Sequence, residues 1–425
     1  MTRATTLVAR VVLCALAAAP ALAAAQDLLI RNATVHTVTE RGTLERTDVL
    51  VRNGRIAAVG SGLAAAGAVV VEAEGRPLTP GLFGGLTALG VEEVSQEPTT
   101  VDNTPPPAGT AGVPAESRPE LDVTLAFNPE SAVIGVNRVE GLTFAMVAPG
   151  SIPDAAVIAG QGAVVRLDGR GDAVLAPSRT LFVSLGAGAA GAGVSRAAQL
   201  MLLEQAAREA KPTPQMRDSD FRLLTPTGRE VLARYLAGGR VAFRVDRASD
   251  IRQVLAFARR HGLRPVIVGG AQAWQVADEL AQAKVPVVLD PLADLPDSFD
   301  MLGASLENAA RLTRAGVRVA FTNFSDGTHN ARKVRQGAGI AVANGLPWDA
   351  ALAGLTANPA EIFGVGAQYG RIAPGYAADL VLWSGDPLEV TTVAQQVWID
   401  GRAQPMRSRQ TELRDRYRPK TAATN

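Results

Sequence analysis

Strand-like and helix-like text alternate through the middle of this chain, and few folds accommodate that alternation. Arg240 to Val245 is an apolar run of strand length; the helical pattern IRQVLAFARRHG follows it behind Ser249-Asp250 as N-cap, with Gly262 as its stop. RPVIVGG, AQAWQVADELAQAK and VPVVLD repeat the pattern, and SLENAARLTRAG then leads into VRVAFTNF. Strands that return at this interval with a helix between them predict a parallel sheet. The two ends of the chain read differently. Residues 27–79 alternate as strands around an Asn53-Gly54 hairpin signal and predict a small β-sandwich. Gly370 to Arg402 adds ADLVLW, VAQQVWI and an Asp-Gly turn.

With 425 residues, 47% hydrophobic and 20% charged, the chain is long and apolar enough for a large α/β domain with a satellite, which excludes a disordered protein. Its first 25 residues predict a secretory signal peptide. Arg3 and Arg10 precede an apolar run from Val11 to Ala25, with small residues at Ala21, Ala23 and Ala25 where cleavage falls. The run is short and Ala-rich for a membrane anchor. The one cysteine, Cys14, lies inside it, so the mature chain has no thiol for a disulfide, a nucleophile or a metal ligand. Losing Arg3 and Arg10 moves the formal charge from +1 to −1, which implies no basic face for nucleic acid. Among 42 basic residues only Lys211, Lys284, Lys333 and Lys420 are lysines, a bias of GC-rich bacterial genomes. The expected location is the periplasm or outside the cell.

Between these two kinds of text lies Pro80 to Gly90, reading PGLFGGLTALG. It resembles the first barrel strand of the amidohydrolase superfamily, where PG(L/F)xDxHxH is usual. The C-terminal GRIAPGYAADLVLWSGDPL carries a second, more specific signature of that family. Phe127-Asn128-Pro129, EGLTFAMVAPGS and IAGQGAVVRLDG resemble its imidazolonepropionase-like branch. The resemblance implies a (β/α)₈ TIM barrel over residues 80–372, inserted in a composite β-sandwich of residues 26–79 and 373–402, with a tail over 403–425. The Pro-rich stretch at about 95–129 is expected as a loop over the C-terminal mouth, where barrels of this kind keep their sites.

That family holds one or two divalent metals, usually zinc, on histidines and carboxylates at the mouth, and there this sequence departs from it. Leu86 and Ala88 replace the strand-one histidines. Arg244, Val245 and Asp246 stand at the fifth-strand HAH, Gly269 at the sixth-strand histidine, and Phe324 at the eighth-strand aspartate, with Asp326 two residues late. Leucine, alanine and glycine side chains have no lone pair to give, and Arg244 brings a cation to the place of the ion. Three histidines exist and none falls on a ligand position: His36 lies in the sandwich, His261 closes a helix, and His329 follows strand eight. No metal or other cofactor is therefore expected. Asp246, Asp326 and Asp290 could still hold a hard cation through oxygen, although ion pairs with Arg244, Arg332 or Arg335 are the stronger expectation. Arg244 in particular calls for a carboxylate, expected from Asp246 or Asp326, with a bound ligand as the alternative source.

These departures predict a non-catalytic member of the family, a secreted or periplasmic pseudoenzyme acting as a subunit or binding protein, oligomeric and partnered with an active paralogue. The candidate pocket is Arg244, Asp246, Asn323, Asp326 and His329. Two further readings stay open. One is a hydrolase of C–N bonds in cyclic amides or dipeptides that works without the usual metals, through Asp326 and His329 with Asn323 as oxyanion donor. The other is a pocket that captures a small anion on Arg244.

Overall fold

A computed structural model describes residues 27–104, 117–150, 157–186, 195–211, 223–324 and 327–418. The expected signal peptide, Pro105-Pro106-Pro107 and Asp326 lie outside the described residues. The first strands are β1 (Leu28–His36), β2 (Thr43–Arg52), β3 (Arg55–Gly60), β4 (Val69–Glu72) and β5 (Pro77–Pro80). Next come β6 (Leu82–Thr87), β7 (Leu142–Val147), β8 (Ile158–Arg166), β9 (Thr180–Ser184), β10 (Arg240–Val245), β11 (Arg264–Gly269), β12 (Val287–Leu289) and β13 (Val319–Phe321). The last are β14 (Leu380–Trp383), β15 (Ala394–Ile399) and β16 (Arg402–Ala403).

The two ends of the chain share one sheet, in the order β16-β15-β14-β5-β1-β2-β3 with β4 added on β1. Backbone pairing therefore runs continuously from the C-terminal strands into the N-terminal ones. The seam is β14 against β5, antiparallel, with Val381 opposite Thr79. Leu28, Ile30, Val49, Ile56 and Leu78 from the front of the chain close one core with Ile372, Leu380, Leu382 and Trp398 from the back. Both hairpin signals form as read. Asn53 and Gly54 have φ of 50° and 77°, and Asp400 and Gly401 have 49° and 70°, the left-handed pair that a two-residue turn between antiparallel strands demands. The turns also touch, since a Cβ at Gly54 would lie 2.8 Å from the Asp400 carbonyl oxygen.

The middle of the chain is a mixed α/β unit around a nearly closed eight-stranded sheet, ordered β6 to β13 as in the sequence. The ladder stops between β6 and β13. There Thr322, just past β13, donates to and accepts from β6 instead, taking the Leu86 N–H at 2.9 Å. The barrel is not wholly parallel, because β8 runs antiparallel to both neighbours, β7 and β9. The segment from β8 to β9 holds only a single 3₁₀ turn at Ala176–Ser178, and without a crossover helix the chain cannot return to start the next strand in the same direction. Elsewhere the expected helices form. One is Ala248–His261, whose C-cap Gly262 has φ 68°. Its N-cap is Arg247, not Ser249-Asp250: Asp250 sits in the first turn and is held by Arg196 Nε at 3.0 Å and Arg247 at 2.7 Å.

Alternation along the strands sorts the side chains into two cores. Val241, Phe243 and Val245 of β10 face the surrounding helices. Phe83, Leu86, Phe144, Met146, Phe182, Ala242, Val266, Val268, Val288 and Ala320 fill the barrel interior. The interior is thus a packed apolar plug, and the functional question concerns the residues on top of it. Beneath the sheet a polar wall joins the two units. Arg166 of β8 pairs with Asp168 at 3.0 Å, Asp172 at 2.7 Å and Asp400 at 3.7 Å, while buried Asp379 accepts the Asp400 N–H at 2.9 Å.

Candidate functional site: the barrel mouth

The carboxyl ends of β6, β10, β11 and β13 converge on the mouth, and each position read from the sequence can be located there. Leu86 is buried in the interior core, and both its backbone N–H and its C=O are engaged by Thr322. Ala88 packs against the outer core, with its N–H on the Gly327 carbonyl at 3.1 Å. Phe324 turns its ring to solvent at 48% exposure, and its N–H donates to Asp290 Oδ2 at 3.0 Å. Asp290 also caps Leu292 N–H at 3.0 Å, so its carboxylate ties the loop after β12 to the end of β13.

Gly269, where the resemblance puts a sixth-strand ligand, leaves its side-chain space to a neighbour. A Cβ built on it would stand 2.6 Å from Asp246 Oδ1, so the carboxylate from the next strand fills the space a side chain at 269 would need. Asp246 accepts the Ala271 N–H at 3.2 Å. Burial pushes its carboxyl above the usual range, and the Asp300 charge adds to the shift against the pull of the Ala271 N–H. Gly269 itself has φ 91°, which disfavours any L side chain. Gly269→Ala will therefore lower stability by about 1–3 kcal/mol through backbone strain and the clash with Asp246. Asp246→Ala should recover the clash and leave the strain, a partial rescue readable in a urea double-mutant cycle; full additivity of the two changes would show that the carboxylate and residue 269 do not compete for space.

Arg244 departs from its expected pairing. Its side chain points into the barrel above Phe182, with the guanidinium carbon 5.8 Å from the ring centroid, and one N–H reaches the Pro149 carbonyl at 2.8 Å. Among the described residues no carboxylate pairs with it, Asp246 included. Two residues apart on one strand, the two side chains share a face, but Asp246 is turned toward β11 and held there by backbone N–H groups. Arg244 is only half-buried by accessible surface, yet protein surrounds its charge closely enough that desolvation lowers its pKa to about 10. A side chain with both properties lies down inside the mouth and not on its rim, and at neutral pH it is a cation.

The other expected ion pairs are also absent among the described residues. Arg335 donates to the carbonyls of Pro387, Glu389 and Thr392 and stacks over Trp383, while Arg332 donates to the His329 carbonyl. Backbone carbonyls win because both arginines leave loops or helix starts where those oxygens converge. The Asn323 side chain is committed to the Asn330 carbonyl at 3.1 Å, and His329 is exposed in the same turn. His261 ends its helix as expected and adds contacts to Glu204 at 3.2 Å and to the Phe257 ring. His36 packs on Trp348 in the sheet unit, with Nδ1 2.9 Å from Thr43 Oγ1, and burial lowers its pKa.

What sequence reading missed at the mouth is a second charge cluster. Arg196, from the helix Arg196–Glu209, binds both Asp250 and Asp300, and Arg247 completes the group on Asp250. Asp300 comes from the 3₁₀ turn Phe299–Met301 in the loop after β12, so this cluster fastens that loop over the ends of β9 and β10. The signal was faint, because the partners lie 54 and 104 residues apart.

A family model described as "Amidohydrolase family" matches residues 230–404. The structure superposes on an amidohydrolase from Thermotoga maritima MSB8 with a TM-score of 0.76, at 26% identity over 88% of this chain and 99% of that one. An adenine deaminase from Deinococcus radiodurans is 30% identical over 357 residues, 84% of this chain. An amidohydrolase, tasK, from Hapsidospora irregularis is 52% identical over 60 residues, 14% of this chain. The chain spans 58% and 6% of the lengths of these two curated relatives. Fold and sequence together define an amidohydrolase-type barrel joined to a sheet built from both chain ends. The chain belongs to the amidohydrolase family.

Does the mouth fit the divalent metal that this family implies? Transition-metal sites need several imidazoles, thiolates or carboxylates around one ion. Here Leu86 is part of the apolar plug, Asp246 fills the place beside Gly269, and Arg244 sets an unpaired cation on the fifth strand. Among the described residues no three histidine, cysteine, aspartate or glutamate side chains gather as a ligand set. These residues do not fit such a metal.

Proposed function

We propose that this protein is a non-hydrolytic, exported member of its family that acts by binding, either alone or as a subunit beside an active paralogue. The observation that carries this reading is Arg244: a guanidinium deep in the mouth, without a carboxylate among the described residues, stands where the family resemblance would put a fifth-strand metal ligand. A cation fixed there repels a second one, and desolvation makes the repulsion stronger than it would be in water. The neighbouring positions give nothing in return, since Leu86 and Ala88 offer no donor atoms and Asp246 is spent on backbone N–H groups.

Export rests on the N-terminal text, Arg3 and Arg10 followed by the apolar run to Ala25, and association with other chains on the build of the family. Among the described residues no helix is long and apolar enough to cross a membrane.

The mature protein, purified without chelator, will carry well under one equivalent of zinc, manganese or iron per chain by plasma mass spectrometry. It will leave dipeptides, cyclic amides and adenine unhydrolysed whether or not these metals are added. Stoichiometric metal whose removal abolishes hydrolysis of any of these compounds would overturn the reading.

A further inference from the structure

We propose that the barrel mouth binds an organic carboxylate, with Arg244 as its receptor. The inference deepens the non-hydrolytic reading and rests on it, since a metal-loaded mouth would leave this place to the ion.

The geometry starts from what Arg244 lacks. A guanidinium offers five N–H donors in a planar fork that matches the two oxygens of a carboxylate. One N–H is used, on Pro149. The remaining guanidinium nitrogens have no other hydrogen bond among the described residues and are not among the fully buried, partnerless polar atoms, so they keep contact with solvent. Desolvation already penalises this charge, and a buried cation kept without an anion is a standing cost that an incoming carboxylate relieves. The arginines near it on the described part of the mouth have partners within the chain: Arg196 and Arg247 on Asp250, and Arg332 on the His329 carbonyl.

Surroundings select among anions. Beneath the guanidinium lies the Phe182 ring, and Leu86, Met146 and Ala148 belong to the same interior surface. A doubly charged phosphate would meet apolar walls on this side and only a single guanidinium to answer both of its charges. A monocarboxylate with an apolar body places one negative charge on Arg244 and its hydrocarbon against the plug. Single-charge recognition at a half-open site corresponds to weak to moderate affinity, in the micromolar to millimolar range.

Calorimetric titration and thermal shift of the full mature protein test this with matched probes: acetate, isovalerate and phenylacetate, their three amides, and inorganic phosphate. Phenylacetate and isovalerate should bind and raise Tm, acetate less so, and the amides should do neither. Arg244→Gln keeps a polar, hydrogen-bonding side chain, though a shorter one, and removes the charge. It should weaken the carboxylates at least tenfold while leaving the ligand-free Tm unchanged or higher, and Arg244→Lys should recover part of the binding. The proposal is overturned if amides bind as well as carboxylates, if phosphate alone binds, if no carboxylate binds at millimolar concentration, or if Arg244→Gln lowers the ligand-free Tm by several degrees, which would place the missing carboxylate inside the chain. Metal content of the same sample separates the two readings. Metal-free protein that ignores carboxylates defeats only the carboxylate site, whereas a metal-loaded mouth defeats the non-hydrolytic reading.

Discussion

A chain cut after Gly370 will not reach a soluble, cooperatively unfolding state. The cut removes β14, β15 and β16, and with them the strand that lies between β5 and the C-terminal hairpin. Leu380, Leu382, Trp383, Val397, Trp398 and Ile399 are all buried, and removing each withdraws roughly 1.5–3 kcal/mol of hydrophobic stabilisation. Six such losses are comparable to the whole stability of an ordinary domain, about 5–15 kcal/mol. Trp383 shows why neighbours cannot close the gap. Its indole N–H donates to Thr79 Oγ1 at 2.9 Å, Arg335 lies over its ring, and a Cβ at Gly141 would collide with it at 2.6 Å. Without it the front strands, the barrel wall and a buried cation lose one partner together. The exposed β5 edge would also invite pairing between chains. Size-exclusion chromatography with urea unfolding decides the matter: a soluble monomer with a single sharp transition would show that the front strands hold the sheet alone.

Asp379→Asn will make the protein more stable at pH 8 and leave it nearly unchanged at pH 4. Burial pushes the Asp379 carboxyl up to about 7, and the Asp400 charge adds to it, against the Asp400 N–H and Arg166. A carboxyl whose folded pKa lies above its unfolded value near 3.9 stabilises the fold fully below pH 4. It loses that contribution as pH rises to about 7. The shift of about three units corresponds to roughly 4 kcal/mol across that window, at about 1.4 kcal/mol per unit. Asparagine keeps the oxygen that takes the Asp400 N–H. Its amide also supplies a donor toward Thr143 Oγ1, which faces the carboxyl and, like Asp379 Oδ2, lacks a well-formed hydrogen bond. The variant should thus gain about 2–4 kcal/mol over the parent at pH 8, with a flatter stability profile between pH 4 and 8. Equal urea midpoints at pH 8, or a gain as large at pH 4, would show that Asp379 does not carry the pH dependence.

Local chemistry made much of this architecture legible. Asn53-Gly54 and Asp400-Gly401 need only their own backbone preferences to announce tight turns, and both form. Strand and helix along residues 240–321 follow from periodicity and from Gly262, whose missing Cβ permits the left-handed stop. The direction of β8 was not legible in its residues, because a strand buried on both faces reads as one apolar run whichever way it lies. Only the short, helix-free connection to β9 carries that information. At the mouth the absence of donor atoms on the side chains of Leu86, Ala88 and Gly269 could be read one residue at a time. What fills them could not, since Asp246 answers to a glycine on the neighbouring strand and Arg244 to a carbonyl 95 residues away. Partners of charged side chains are decided by tertiary proximity, and one sequence does not record it.

The seam between β14 and β5 also has a consequence in time. A polypeptide leaves the ribosome front end first, so β1 to β5 emerge with an open edge and wait while some 300 residues are made, an estimate in keeping with a synthesis rate of about 5–20 residues per second and a delay of tens of seconds. During that interval the central rung of the sheet does not exist, and the two turns that finally rest on each other, at Gly54 and Gly401, belong to segments made far apart in time. Completion of the sheet therefore waits for the C-terminal strands. A nascent chain that stops early keeps its strand edge bare and its barrel unsealed, which is the form that chaperones, proteases and translocation channels handle, while a finished one withdraws that edge from all three.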